Sequence, residues 1–168
     1  MATATTEFHF SGLAKCLVQE GLLAEKDAKT HIQEAQKNKV SLISYLVSNK
    51  LVDSRAIATH ASIEFGVPFF DLDAIDPRNL PINLVNEKLI RKFNALPLLK
   101  RGKTLFVGIS DPTHTHGLED IKFQSMLNLE TVLVEENKLL KMIETALEAV
   151  DTSMSDLMDT DLDNLNVT

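Results

Sequence analysis

GLAKCLVQEGLLAEKDAKTHIQEA (residues 12–35) and SLISYLVSNKLVDSRAIATHASIE (residues 41–64) decide the fold, because they are one pattern written twice, 29 positions apart. Superimposed, they pair Leu13 with Leu42, Leu17 with Leu46, Val18 with Val47, Leu22 with Leu51, Leu23 with Val52, Thr30 with Thr59 and His31 with His60. Within each copy the apolar residues fall at i, i+4, i+5, i+9 and i+10, the mark of a short helix that stops and turns into a hydrophobic corner. Gly21 stands where the helix end wants a left-handed residue, and the second copy carries Lys50 there. A second helix then opens in each copy, at Ala24-Glu25-Lys26-Asp27 and at Asp53, a good N-cap. Each copy therefore reads as a helical hairpin with one apolar face, and two such faces can bury each other as a four-helix unit.

Beyond residue 66 the apolar period shortens from about 3.6 to about 2, which marks a second subdomain. Val67-Pro68-Phe69-Phe70-Asp71-Leu72 reads as an edge strand with proline near its start. A helix is expected over 83–93, strands over 95–99 and 104–109 joined by Lys100-Arg101-Gly102-Lys103, a helix over 118–126, a strand over 130–134 and a helix over 137–150. That order predicts a small α/β layer with helices on one face of a mixed sheet. The fold class is α+β: a disordered lead-in (1–9), a repeated-hairpin subdomain (10–66), a small α/β subdomain (67–150) and an acidic flexible linker (151–168). Spaced Leu157, Leu162 and Leu165 give that linker room for weak docking.

The net charge of −7 is unevenly spread. Residues 151–168 contain five aspartates and no Lys or Arg, which leaves about −2 for the rest of the chain. General nucleic-acid binding needs a concentrated basic surface and is not expected. The cationic grouping of Lys88, Arg91, Lys92, Lys100, Arg101 and Lys103 reads first as a solvated face and second as a surface for an acidic protein. No apolar run is long enough to span a bilayer, and no secretory signal pattern opens the chain. With a single cysteine, Cys16, placed on an apolar helix as a small core residue, the expected compartment is the cytoplasm, without membrane insertion.

Several motifs imitate chemistry. Gly102-Lys103-Thr104 resembles the end of a phosphate-binding loop, but the position five residues before Gly102 is Pro97, which has no N–H, and a strand follows instead of a helix. His114 and His116 lack a third ligand fixed by geometry, so a loop is the better reading and no metal is expected. His31 and His60 are equivalent because the copies share an origin, and structural contacts account for both. No nucleophile–base arrangement or carboxylate pair stands out, so no catalytic residue is assigned.

The doubled hairpin, followed by FGVPFFDL, LPLLKRGKTLFVGISDPTH and ETVLVEENKL, resembles the MshEN family, the N-terminal domains of type IV pilus assembly and type II secretion ATPases. The resemblance covers residues 10–150 and is most specific over 65–114. It implies a regulatory domain of a hexameric motor at the inner-membrane base of a pilus machine. The remainder of that ATPase would be a partner, and ATP and Mg²⁺ would belong to its motor domain, with no cofactor in this chain. Family members that bind cyclic di-GMP carry a pattern close to R-L-G-x-x-L-V-x-x-G-L-I, closed by a glutamine. Carried over, the arginine positions are Gly12 and Ser41, the first glycines Ala14 and Ile43, and the glutamines Ala35 and Glu64. These six are expected not to bind the nucleotide, since each lost charge-assisted bond costs roughly 1.5–3 kcal/mol, about ten- to a hundredfold. The resemblance instead suggests a PilZ-type adaptor, itself linked to a FimX-type cyclic di-GMP receptor. The surviving scaffold of Leu13, Leu17, Val18, Leu22, Leu42, Leu46, Val47 and Leu51 supplies the candidate contact residues. Alternatives are direct cyclic di-GMP binding through an altered site, and a structural mount on the inner-membrane platform.

Overall fold

The hairpin copies form by interlocking. In a computed structural model, which describes residue 10 and residues 12–164, the first copy supplies α1 (Gly12–Gln19) and α2 (Glu25–Lys37), the second α3 (Leu42–Ser48) and α4 (Ser54–Phe65). The closer packing runs between copies, α1 on α4 and α2 on α3, so neither hairpin completes a core alone. Leu17, Ile43, Leu46 and Ile57 are fully buried at this junction. The equivalent histidines mark it on both sides: the His31 ring lies 5.7 Å from that of Tyr45 on α3, and His60 Nδ1 lies 3.2 Å from Glu20 Oε2 at the end of α1.

Both first helices end as the sequence predicts. Gly21 has φ +69°, and Lys50 adopts the same left-handed conformation, φ +55°, at the steric cost of a Cβ that glycine lacks. Asp53 caps α4, its side chain accepting from the Ala56 N–H at 3.0 Å. Ala24 leads into α2 without a side-chain cap.

The second half is a mixed three-stranded sheet, order β1 (Leu96–Arg101), β2 (Thr104–Ile109), β3 (Asn128–Leu133), flanked by α5 (Glu87–Phe93), α6 (His116–Ser125) and α7 (Glu136–Asn164). β1 and β2 pair antiparallel with an irregularity between Pro97 and Leu99; β2 and β3 pair parallel across α6. The expected strand over 67–72 reduces to one bridge, Phe69 to Leu133. Pro68 brings no N–H, and Asp71 ends the extended run by accepting from the Asp73 N–H at 3.0 Å, which starts a 3₁₀ turn over Leu72–Ala74. Asn86 likewise splits the expected 83–93 helix, capping α5 at Lys88 N–H after a separate 3₁₀ turn over Ile82–Leu84. One continuous apolar core joins the helical repeat to the sheet layer.

The acidic stretch departs most from the sequence reading. In place of a flexible linker from 151, α7 continues unbroken to Asn164. The run 137–164 contains no Pro or Gly to end a helix, while Leu139, Ile143, Ala146 and Leu147 bury one side of its first half. Met154, Leu157 and Met158 are exposed. The lead-in 1–9 and the positions 165–168, with Leu165, lie outside the described residues, as does the side chain of Leu162.

A charge cluster holds the start of α7. Lys138 Nζ lies 2.8 Å from Glu135 Oε2, 3.3 Å from Asp71 Oδ1 and 2.5 Å from Asp73 Oδ2. Arg55, on α4, reaches Asp71 at 3.5 Å and the buried Glu135 at 3.8 Å, with Phe69 under its guanidinium. The Asp73 backbone N–H and then Lys138 hold the Asp71 carboxyl below its ordinary 3.8. The hydrogen bonds that the Lys138 ammonium donates to the Asp73 and Glu135 carboxylates push its pKa upward.

Two expectations follow from these contacts. Lys50→Gly raises unfolding free energy by about 0.5–1 kcal/mol by relieving the left-handed lysine, read by urea denaturation. Lys138→Met lowers Tm at neutral pH. A carboxyl with a depressed folded pKa stabilises above its unfolded value, so the gap between variant and parent narrows as pH falls below 3.8, read by thermal unfolding across acid pH.

Candidate functional site

Three of the six positions singled out by sequence, two from the first copy and one from the second, converge on one cleft. Ala14 on α1, Ala35 on α2 and Ser41 before α3 line a cleft of ≈ 390 Å³ with Phe10, Leu13, Ile32, Val40 and Leu42. Its far wall is the loop after β2, Asp111, Thr113 and His114, which nothing in the repeat spacing announces. Chain folding alone brings that loop over the repeat. Gly12, at φ +57°, places its α-carbon against Thr113, so that a Cβ there would sit 3.1 Å from Thr113 Cγ2.

The cleft is electrostatically unlike an anion site. Among the described residues no Lys or Arg lines it. Asp111 accepts from the Thr113 N–H at 2.9 Å and the Thr113 hydroxyl at 2.6 Å, and His114 Nδ1 stands 3.0 Å from its carboxylate. A carboxylate in the wall raises the energy of any phosphate placed nearby.

In the second copy, Ile43 is buried and Glu64 is exposed. Ser41 is occupied as the cap of α3, accepting from the Ser44 N–H at 3.1 Å. The Ser44 hydroxyl donates to Glu136, a carboxylate 2% exposed whose second oxygen has no hydrogen-bond partner among the described residues. The second copy's arginine position thus lies near a buried acid.

The partner-contact candidates separate into two groups. Leu17 and Leu46 are completely buried and cannot touch a partner, because the interlocked copies consume them, and Leu13 is buried but for its edge on the cleft. Val18, Leu22, Leu42 and Val47 are half-buried, and Leu51 is 45% exposed. Sequence reading missed Val40 (45% exposed) and Ile63 (78%), since neither belongs to the matched apolar pairs. A signal for Ile63 was available: it is an isolated large apolar residue between Ser62 and Glu64.

Of the decoys, Gly102-Lys103 is the two-residue turn between Arg101 and Thr104, with Gly102 at φ +61°. Cys16 is buried, and burial pushes its thiol pKa up. Among the described residues no cluster of three or more His, Cys, Asp or Glu could hold a metal ion.

Residues 65–152, which hold the three-stranded sheet and the first half of α7, match the model of the MshEN domain. The chain belongs to the MshEN domain family. It is 40% identical over 94% of its length to the type IV pilus assembly ATPase PilB of Pseudomonas aeruginosa, and spans 28% of that relative's length. In structure it is similar to MshE, solved with cdg, at TM-score 0.60 and 22% identity, covering 82% of this chain and 99% of that one. The N-terminal domain of XpsE is similar at TM-score 0.65 and 17% identity, covering 82% and 97%. Both likenesses establish the α+β fold.

The division of candidates has a stability signature. Leu17→Ala lowers unfolding free energy by about 2–5 kcal/mol, while Leu51→Glu changes it by less than about 0.5 kcal/mol, both read by chemical denaturation.

Proposed function

We propose that this chain is a non-catalytic N-terminal regulatory domain of a type IV pilus extension ATPase, cytoplasmic at the inner-membrane base of the pilus machine. It docks a PilZ-type adaptor that relays a cyclic di-GMP signal from a FimX-type receptor. Family membership and the 40% identity to a pilus assembly ATPase support the motor context. The observation that carries the adaptor reading is the cleft walled by the Asp111 loop. Where the family's nucleotide positions fall, this chain has Gly12, Ala14 and Ala35, with no Lys or Arg among the described lining residues and with the Asp111 carboxylate in the wall. A dianionic messenger has little to grip there, so the signal arrives through a protein.

The accessible apolar residues of the repeat, Leu51, Val40 and Ile63, are the contacts this reading assigns. A protein interface needs a dry apolar centre rather than matched charge. Docking would then act by favouring one placement of this domain on the motor over another, which couples adaptor binding to motor assembly or turnover.

The test is co-elution of the chain with a PilZ-type adaptor on a sizing column. Binding is expected for the parent and weakened at least tenfold in Leu51→Glu or Ile63→Glu, with unchanged Tm, as an anchor residue is worth about 1.4 kcal/mol or more. Calorimetry with cyclic di-GMP is expected to give no heat of binding. Micromolar or tighter affinity for the nucleotide overturns the reading.

A further inference from the structure

One end of the small sheet gathers cations from separate elements. α5 and α6 run antiparallel: the Asn86 N–H at the start of α5 donates to Gln124 Oε1 near the end of α6 at 2.9 Å, and the Phe93 ring at the other end of α5 lies over Gly117. Asn128, opening β3, donates its N–H to the Lys103 carbonyl at 2.9 Å, and Met126 N–H closes α6 on the Lys122 carbonyl. The start of α5, the β1–β2 turn and the end of α6 therefore share one end of the molecule. They bring Lys88, Lys100, Arg101, Lys103 and Lys122 there, all exposed. None of the five is in an ion pair among the described residues, whereas Arg91 is committed to Glu87 and Glu144. The other acids on these elements are Glu119, Asp120 and Glu130.

Beside the cations stand Phe123 and Met126, 88% and 89% exposed, the most exposed large apolar side chains among the described residues. Leu99 on β1 is exposed as well. Lysine is depleted from protein–protein interfaces, yet four of these five cations are lysines. Ammonium groups around protruding Phe and Met suit a layer of lipid phosphates above acyl chains. The geometry points to a peripheral docking site for anionic phospholipid at this end of the domain. The chain's net charge of −7 keeps its other faces off such a surface and so sets one orientation. This site is separate from the repeat unit and independent of the adaptor reading.

Co-sedimentation of the full chain with vesicles tests it. Binding is expected to phosphatidylcholine vesicles containing phosphatidylglycerol, weakening as salt rises, and not to phosphatidylcholine alone. Each charge removed in the series Lys100→Gln, Arg101→Gln, Lys103→Gln weakens partitioning about fivefold. Phe123→Ser weakens it further without changing the salt dependence, and all these exposed sites keep the parent Tm. Absence of binding to the anionic vesicles, equal binding to neutral ones, or an unaffected triple variant overturns the proposal. So does capture of an acidic protein by this end with no lipid binding, which assigns the patch to a protein partner.

Discussion

Each hairpin of the repeat is the other's missing core, and the rest of the molecule depends on that exchange. A two-helix hairpin of this length has one apolar stripe and cannot remove it from water alone. Setting α1 on α4 and α2 on α3 buries Leu17 and Leu46 completely. The surface of the repeat is then whatever the junction does not use: half-buried Val18, Leu22, Leu42 and Val47, and exposed Val40, Leu51 and Ile63. Substitution on that surface leaves the junction intact, whereas substitution in the junction removes both hairpins together.

This separation leaves the lining of the cleft free to vary without disturbing the junction. The residues that line the cleft are mostly small or apolar, and the loop after β2 closes it with Asp111, Thr113 and His114. Small side chains keep the space open without supplying charge. The Asp111 hydrogen bonds to Thr113 are local to that loop, so the carboxylate's position owes nothing to an occupant. In the second copy the corresponding serine is spent on capping α3, and the acid beneath it, Glu136, belongs to α7.

The helical repeat was readable because periodicity and duplication reinforce one another. Lys50 in place of Gly21 did not hide the equivalence, since the flanking leucines fix the register and the backbone adopts the same left-handed turn. The β1–β2 hairpin was readable from two short apolar runs joined by Lys100-Arg101-Gly102-Lys103. Asn and Asp were harder. Asp71 and Asn86 each redirect the chain by accepting a hydrogen bond from a backbone N–H two residues on, and hydropathy carries no trace of that bond. Composition also misled at the acidic end, where aspartates suggested a loose segment and a helix formed. For the site, the family pattern carried over onto the repeat located Ala14, Ala35 and Ser41, but exposure is a property of packing. Leu13, Leu17 and Leu46 share the helical period of Val18 and Leu22, and only the crossing of the helices tells them apart.

The length of α7 has a mechanical consequence. From Leu147, the last buried side chain on it among the described residues, the helix continues to Asn164, about 25 Å at the usual rise per residue. A stiff rod anchored at its base by Lys138, Glu135 and Arg55 turns with the domain, where a slack tether would absorb the turn. A rotation of about 10° at the base sweeps its tip through roughly 4 Å over that length, so small tilts of the globular body become ångström-scale strokes at the far end.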